Sequence, residues 1–259
     1  MYQTKLRHDP LRKDILLGTF DSFPEKYLNV ISTRQGGVSQ KPYDSLNLGL
    51  HVGDDIEDVI ENRIRFFTAI NEVFRTRLKI DDLVTPEQIH GDRIVVVTDE
   101  HRGRGAFRYI DAIPQTDALI TREKNLPLML CFADCVPVLF CDPVHEAVGI
   151  AHAGYKGTEL KIAAKTLQEM QDKFETDPAE CLIAIAPSIG VCCYTRDNQP
   201  MDLWKMNREQ LIDAGVPESN IDVSNVCTKC NVDNYFSYRV ENKTGRIAAV
   251  IAINERKTS

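Results

Sequence analysis

Three short apolar runs in the middle of the chain each end at polar or sulfur-bearing residues. They cover residues 126–132, 136–140 and 147–151, and the first two flank the tripeptide Ala133-Asp134-Cys135. Short apolar runs interrupted in this way are typical of buried strands that present functional groups at their ends. The pattern therefore predicts three buried strands, with Cys135 and His152 at strand ends.

Longer segments repeat apolar residues at helical spacing. Asp54 or Asp55 can cap a helix over residues 56–71, whose apolar positions are Ile56, Val59, Ile60, Ile64, Phe67 and Ile70. The same periodicity predicts helices over residues 159–174 and 203–214.

Further strands are predicted before, between and after these helices. One or two lie within residues 15–33, and others cover residues 93–98, 117–121, 182–186 and 247–253. Residues 99–110 are rich in charge and glycine and are expected to form a mobile loop. With neither a repeat nor a linker, the pattern predicts one mixed α/β (α+β) domain over residues 1–259, in which helices flank mixed β-sheets.

Composition narrows the class of protein. The 259 residues carry a formal net charge of −7 and a pI near 5.4, which argues against a nucleic-acid binder. The longest apolar run is too short to span a bilayer, and the first 17 residues lack the pattern of a secretory signal. Eight cysteines in such a chain are expected to be thiols or ligands rather than disulfides, so the expected location is cytoplasmic.

Two of the six histidines, His90 and His152, occupy similar places, each in a glycine turn beside a predicted buried strand. Together with Cys135 they form a His/Cys/His set, the number and type of ligands that a catalytic zinc uses. Two other interpretations stay open at this point. The three residues could have separate structural roles, or Cys135 activated by His152 could be a nucleophile pair.

A second cysteine pattern is Cys227-x-x-Cys230, which Cys192-Cys193 could complete as a four-sulfur site. Adjacent cysteines rarely both bind one zinc, and the chain has no second Cys-x-x-Cys motif. We therefore expect that Cys227 and Cys230 are not a second zinc site.

Ten motifs in order resemble the YfiH/laccase-domain family over nearly the whole chain, roughly residues 18–253. They are TRQGGVS, SLNLGLHVGDD, ENR, QIHG, TDALIT, ADCVPVLFCD, AVGIAHAGYKG, APSIGVCCY, FSYR and TGR. The resemblance implies a YfiH-like α/β domain with mixed sheets. It also implies a zinc bound by the histidine of QIHG, the cysteine of ADC and the histidine of HAG, which are His90, Cys135 and His152 here.

The activity that the resemblance implies is phosphorolysis of adenosine and inosine, together with adenosine deamination and methylthioadenosine phosphorolysis. His90, Cys135 and His152 are then the catalytic residues. Phosphorolysis requires an anion site, for which Arg34, Arg246 and the predicted helix N-terminus after His152 are candidates. Arg34, Asn47 and Arg246 are the candidate substrate-binding residues, and the partners are a purine nucleoside and phosphate.

Three alternatives stay open. Copper at the same site would suit a laccase-like polyphenol oxidase, although a blue-copper oxidase also needs a histidine-rich copper cluster, for which six histidines and no His-x-His are too few. A zinc amidohydrolase acting on cell-wall precursors would use the same ligands. A non-enzymatic metal-binding module would need no open coordination position.

Two departures from the family pattern bear on specificity. The family's usual HAGWRG is HAGYKG here, so Tyr155 and Lys156 replace tryptophan and arginine, and APSIG replaces GPAIG. Tyrosine keeps an aromatic face, but lysine cannot reproduce the bidentate fork of arginine.

Overall fold

A computed structural model describes residues 1–7 and 14–255. Their strands are β1 Tyr2–Arg7, β2 Ile15–Phe20, β3 Tyr27–Ser32, β4 Ile94–Val96, β5 Ala118–Thr121, β6 Leu128–Phe132, β7 Val136–Asp142, β8 Ala147–Ala153, β9 Leu182–Ile185, β10 Thr195–Arg196, β11 Gln199–Pro200, β12 Ile221–Val223 and β13 Ile247–Ile253. Their α-helices are α1 Ile56–Phe74, α2 Tyr155–Glu159, α3 Ile162–Phe174, α4 Leu203–Asp213 and α5 Tyr238–Glu241.

Two large sheets form the centre of the fold. One is antiparallel with strand order β1-β2-β3-β13-β6, and the other is mixed with order β12-β9-β7-β8-β5-β4. In the second sheet the outer pairs β12–β9 and β4–β5 are parallel, and the inner pairs are antiparallel. The predicted mixed α/β fold is therefore confirmed.

Strands β3, β6, β7, β8 and β13 of these two sheets are buried on both faces, which explains the apolar runs in the sequence. Along β13, Ile247, Ala249 and Ile251 belong to the core between the sheets, while Ala248 and Val250 pack on the side of α1. Successive side chains of a strand point to opposite faces, so a strand covered on both sides must be apolar at every position. Helices α3 and α4 cover the outer face of the mixed sheet.

Two local predictions need correction. The helix predicted over residues 159–174 is divided, because Lys161 has φ 60° and separates the short α2 from α3. Residues 99–110 are anchored rather than a free loop: the buried guanidinium of Arg63 donates to the carbonyl oxygens of Gly105 and Ala106 at 2.7 and 2.6 Å.

The first helix confirms its predicted start. Asp55 is the N-cap of α1, and its carboxylate accepts the backbone N–H of Glu57. None of the helices within residues 1–7 and 14–255 has the length and apolar character required to cross a membrane.

Candidate metal centre and ligand cavity

The β7–β8 pair brings Cys135 and His152 together. Cys135 immediately precedes β7, and His152 lies near the end of β8, where it pairs with Pro137. The start of one antiparallel strand and the end of its neighbour lie at the same end of the strand pair. His90 reaches this point from the loop before β4, with φ 62°.

The three side chains form a compact donor set. The ligand atoms of His90, Cys135 and His152 all lie within 4.8 Å of one another, and the two imidazole centroids are 4.7 Å apart. Two imidazole nitrogens and a thiolate sulfur are donors that suit zinc and copper. The donor set therefore fits a single metal ion of this class.

Asp117 orients this group from behind. Its Oδ1 lies 2.8 Å from Nδ1 of His152, which leaves Nε2 available as a ligand atom. The same carboxylate accepts the backbone N–H groups of Ile89, His90 and Gly91 at 3.2, 3.0 and 2.7 Å. One buried carboxylate thus positions two of the three candidate ligands, as acidic residues behind metal-binding histidines commonly do.

Charges within the group favour a thiolate. Burial opposes ionisation of Cys135, but the positive field and hydrogen bonds of His152 and His90 outweigh it and lower the pKa of the thiol to about 6. Burial also opposes protonation of His152, yet Cys135 and Asp117 raise the pKa of its imidazole to about 9. The pair is therefore a thiolate beside an imidazolium until a cation replaces the proton.

A cavity of about 440 Å³ opens onto the His/Cys/His group. This volume is in the range of small-molecule sites. Aromatic side chains form part of its wall, and cationic side chains form another part. The aromatic residues are Phe132, Tyr155, Tyr194 and Tyr238, and the cationic ones are Lys156, Arg239 and Arg246.

These three cations lack carboxylate partners among the described residues. No ion pair of residues 1–7 or 14–255 includes the side chain of Lys156, Arg239 or Arg246. The guanidinium of Arg246 donates to the carbonyl oxygens of Thr244 and Gly245, and burial lowers its pKa. Arg239 lies over the ring of Tyr194 at 5.0 Å. The cavity therefore offers positive charge that can meet an anionic ligand.

Arg34, one of the three candidate substrate-binding residues, lies outside this cavity. It lines a separate, wider groove of about 1410 Å³. Its guanidinium donates to the carbonyl oxygen of Val232 and to Oε1 of Glu241, both at 3.0 Å, and stacks on Phe236 at 4.5 Å. Arg34 thus anchors α5, the helix that carries Arg239.

Asn47 also lies behind the cavity wall. It is fully buried, and its Oδ1 accepts the backbone N–H groups of Gly49 and Arg246 at 3.1 and 2.8 Å. Its amide nitrogen donates to Asp54 at 2.8 Å. Of the three candidate substrate-binding residues, the structure brings only Arg246 to the cavity, and Asn47 holds its backbone.

The predicted anion site lies at the start of α2, the helix that begins at Tyr155 shortly after His152. Helix α2 has only five residues, and the longer α3 begins farther along the chain, after the left-handed residue Lys161. The aligned peptide dipoles that favour an anion at a helix start are correspondingly few.

Sequence reasoning missed two functional candidates. Asp117 belongs to the motif TDALIT and Arg239 to FSYR, but neither motif was assigned a chemical role. Asp117 could have been found from the sequence, because it is an acidic residue at the start of a predicted, mostly apolar strand. For Arg239 the signal is an arginine that follows three aromatic or hydroxyl-bearing residues, where a guanidinium can stack over an aromatic ring.

A second sulfur-rich group lies beside the cavity. Cys192, Cys193, Cys227 and Cys230 place their sulfur atoms within 4.8 Å of one another. Cys192-Cys193, the pair that the sequence argument discounted because its cysteines are adjacent, therefore lies within reach of Cys227 and Cys230.

The chain matches the family model described as multi-copper polyphenol oxidoreductase laccase, over residues 28–200 and 195–254. It is similar to a purine nucleoside phosphorylase, YlmD, of Bacillus subtilis, with 39% identity over 86% of this chain and 87% of that protein. The purine nucleoside phosphorylase YfiH of Escherichia coli K12 is 32% identical over 85% of this chain and 91% of its own.

Solved structures agree with these sequence matches. The crystal structure of YlmD from Geobacillus stearothermophilus superimposes with a TM-score of 0.87 at 36% identity, covering 98% of this chain and 100% of that one. A Bacillus licheniformis hypothetical protein YfiH gives a TM-score of 0.84 at 39% identity, covering 96% and 99%. The resemblance seen in the sequence motifs is confirmed.

Proposed function

Because the chain belongs to the multi-copper polyphenol oxidoreductase laccase family, whose curated relatives are named purine nucleoside phosphorylases, we propose that it is a metal-dependent purine nucleoside phosphorylase. Its substrates in this proposal are adenosine or inosine and inorganic phosphate. The products are the free purine base and ribose 1-phosphate.

The observation that carries the proposal is that one cavity combines a candidate metal site with a group of cationic side chains. The His/Cys/His group forms one wall, and Lys156, Arg239 and Arg246 bring unpaired positive charge to another. Phosphorolysis needs a site that holds a phosphate dianion beside a sugar. Arginine is suited to this task because its planar fork donates two parallel hydrogen bonds to phosphate.

The reaction requires a phosphate oxygen to form a bond to C1′ of ribose while the bond from C1′ to N9 breaks. The electron pair of that bond moves to the purine, which leaves after taking up a proton. Arg239 and Arg246 would hold the phosphate and so convert a bimolecular attack into one between positioned groups. Tyr194 and Tyr238 provide apolar ring surface for the base.

We assign the metal to His90, Cys135 and His152, with zinc as the resident ion and copper as the alternative. When bound by three such ligands, zinc supplies Lewis-acid chemistry at its remaining coordination position. Asp117 keeps the imidazole of His152 oriented, and the apolar ring of Phe132 lies 5.5 Å from that imidazole. Adenosine deamination and methylthioadenosine phosphorolysis belong to the same proposal, since both substrates carry the purine and ribose that this cavity would hold.

A laccase-like polyphenol oxidase is the second candidate, favoured by the family description and by the His₂Cys donor set. Within residues 1–7 and 14–255, however, the groups of side chains that could hold a metal are this set and the four cysteines, so no histidine-rich cluster accompanies it. A zinc amidohydrolase would use the same ligands without phosphate. A non-enzymatic module would make no use of the unpaired cations.

The test is a turnover assay on protein purified without added copper, with its metal content measured. Adenosine or inosine with phosphate should yield free base and ribose 1-phosphate in equal amounts, and omission of phosphate should stop base release. Hypoxanthine or inosine formed from adenosine would report deamination. If metal-replete protein released no base, yet oxidised phenols in proportion to bound copper, the oxidase would replace this proposal.

Arg246→Ala tests the placement of phosphate. Loss of a charge-assisted hydrogen bond costs about 1.5–3 kcal/mol, or roughly ten- to a hundredfold in kcat/KM for phosphate. Metal content and thermal stability should stay close to the wild-type values. Arg77→Ala, at an exposed arginine outside the cavity, is the matched control. Equal KM values for phosphate in the two variants would remove Arg246 from the phosphate site.

A further inference from the structure

Four cysteines from two distant segments meet beside the cavity. Cys192 and Cys193 follow β9, whereas Cys227 and Cys230 precede α5. The sulfur of Cys230 lies 3.6 Å from that of Cys192 and 3.4 Å from that of Cys193. All four cysteines are free thiols, and all four sulfurs lie within 4.8 Å of one another.

These separations match a tetrahedral metal–thiolate centre. Zinc binds sulfur at about 2.3 Å, so two sulfurs of a tetrahedral site lie about 3.8 Å apart. Disulfide sulfurs are much closer, at about 2.05 Å. The four thiols therefore surround a space of the size that a zinc ion fills.

The backbone supports a thiolate at Cys227. The amide N–H of Gly190 donates to Sγ of Cys227 at 3.2 Å, and that sulfur is buried. Donation from backbone N–H groups stabilises a negatively charged sulfur. Cys192 and Cys230 are exposed, so an ion can enter from solvent.

We propose that Cys192, Cys193, Cys227 and Cys230 bind a structural zinc ion, separate from the ion at His90, Cys135 and His152. Binding replaces the thiol protons, which pass to solvent, and no oxidant is required. Four protein sulfurs leave no open coordination position, so the role of this ion is structural and not catalytic.

The ion would join two segments that form one side of the ligand cavity. The first segment carries Ile189 and Tyr194, which line the cavity. In the second, Thr228 donates from its hydroxyl to Oδ1 of Asp134 at 2.7 Å, and Oδ2 of Asp134 accepts the backbone N–H of Arg239 at 2.7 Å. Backbone contacts already align the segments, since Thr228 N–H donates to the carbonyl of Ser188 at 3.0 Å.

Because both segments contribute to the cavity wall, the proposed second zinc should affect ligand binding. Loss of the ion would loosen the segment that holds Tyr194 and, through Thr228 and Asp134, the backbone of Arg239. The inference concerns a structural site and stands independently of the reaction proposed above.

The decisive measurement uses Cys135→Ala, which removes the first metal site and leaves the four cysteines intact. Protein purified under reducing conditions should contain two zinc ions per chain in the wild type and one in Cys135→Ala. X-ray absorption at the zinc edge of this variant should show four sulfur neighbours at about 2.3 Å and no nitrogen. Cobalt(II) substitution should give the intense absorption of a tetrahedral thiolate centre.

Adding Cys227→Ser and Cys230→Ser to Cys135→Ala should abolish the remaining zinc. The matched control adds Cys181→Ala, at a buried cysteine elsewhere in the fold, to Cys135→Ala. This variant should keep the remaining zinc. Even if the triple variant failed to fold, the absorption spectrum of Cys135→Ala would decide the question. Folded Cys135→Ala that takes up no zinc would overturn the proposal. So would nitrogen or oxygen ligands, or a disulfide from Cys230 to Cys192 or Cys193 in reduced preparations.

Discussion

Oδ1 of Asp117 lies 2.8 Å from Nδ1 of His152, while the carboxylate of Asp117 also accepts the backbone N–H of the residue pair His90-Gly91. A single buried side chain thus couples a strand histidine to a loop histidine. Burial opposes ionisation of Asp117, but His152 and the backbone N–H groups of Gly91 and Ile89 hold the pKa of its carboxyl below the ordinary value. The carboxylate is therefore charged when the metal site forms.

Asp117→Asn should weaken metal binding at the His/Cys/His site by about 10- to 100-fold, because His152 loses its anionic partner while the packing volume is kept. Competition with a chelator measures the change. Asp142→Asn is the control, since Asp142 lies 3.0 Å from Nδ1 of His145, a residue outside the cavity. Equal metal affinity in the two variants would contradict the orienting role of Asp117.

Gly154→Ala should expel the metal from the same site by steric contact. A Cβ at this position would stand 2.7 Å from Sγ of Cys135, although the φ of −65° accepts alanine without strain. Far-UV circular dichroism should stay unchanged while one equivalent of zinc is lost. Gly91→Ala is the matched variant, because its Cβ would meet its nearest neighbour at an ordinary 3.4 Å. Retention of both equivalents by Gly154→Ala would show that the thiol can move without losing the ion.

Arg34→Ala should act chiefly on stability. Its guanidinium donates to the carbonyl of Val232 and to Glu241, and these partners would be left unpaired. We expect the free energy of unfolding to fall by about 1–3 kcal/mol in denaturant titrations. The KM for phosphate should rise less than in Arg246→Ala. A stable Arg34→Ala protein with the larger rise in KM would restore Arg34 as a direct phosphate ligand.

Lys156→Arg should strengthen the binding of phosphate. Lys156 lines the cavity, and an arginine there can donate two parallel hydrogen bonds where lysine offers a point charge. The KM for phosphate should fall severalfold while metal content stays the same. Lys173→Arg, on the outer helix α3, should change neither value. An unchanged KM in Lys156→Arg would place the phosphate out of reach of this side chain.

Apolar patterning alone was sufficient to locate the main strands. β6, β7, β8 and β13 appear in the sequence as continuous apolar runs, because each is buried on both faces. Placing Cys135 and His152 at strand ends also anticipated their proximity, since β7 and β8 are neighbours in sequence and pair directly. The start of helix α1 could be predicted from the cap residue Asp55.

Local patterning could not place groups whose neighbours come from far along the chain. Arg34 and Arg246 both lie near glycines in the sequence. In the folded chain Arg34 packs against α5 outside the cavity, whereas Arg246 lines the cavity. The division at Lys161 likewise depends on a backbone conformation that helical periodicity does not reveal.

The amino-acid sequence by itself determined the buried strands, the main helices and the likeness to a metal-containing family, because these depend on residue order within short segments. Tertiary structure alone decided which cations line the cavity and that the Cys192-Cys193 pair meets Cys227 and Cys230. The physical reason is that charge pairing and metal–sulfur geometry depend on distances of a few ångströms between segments. Chain folding sets those distances, and spacing along the sequence does not record them.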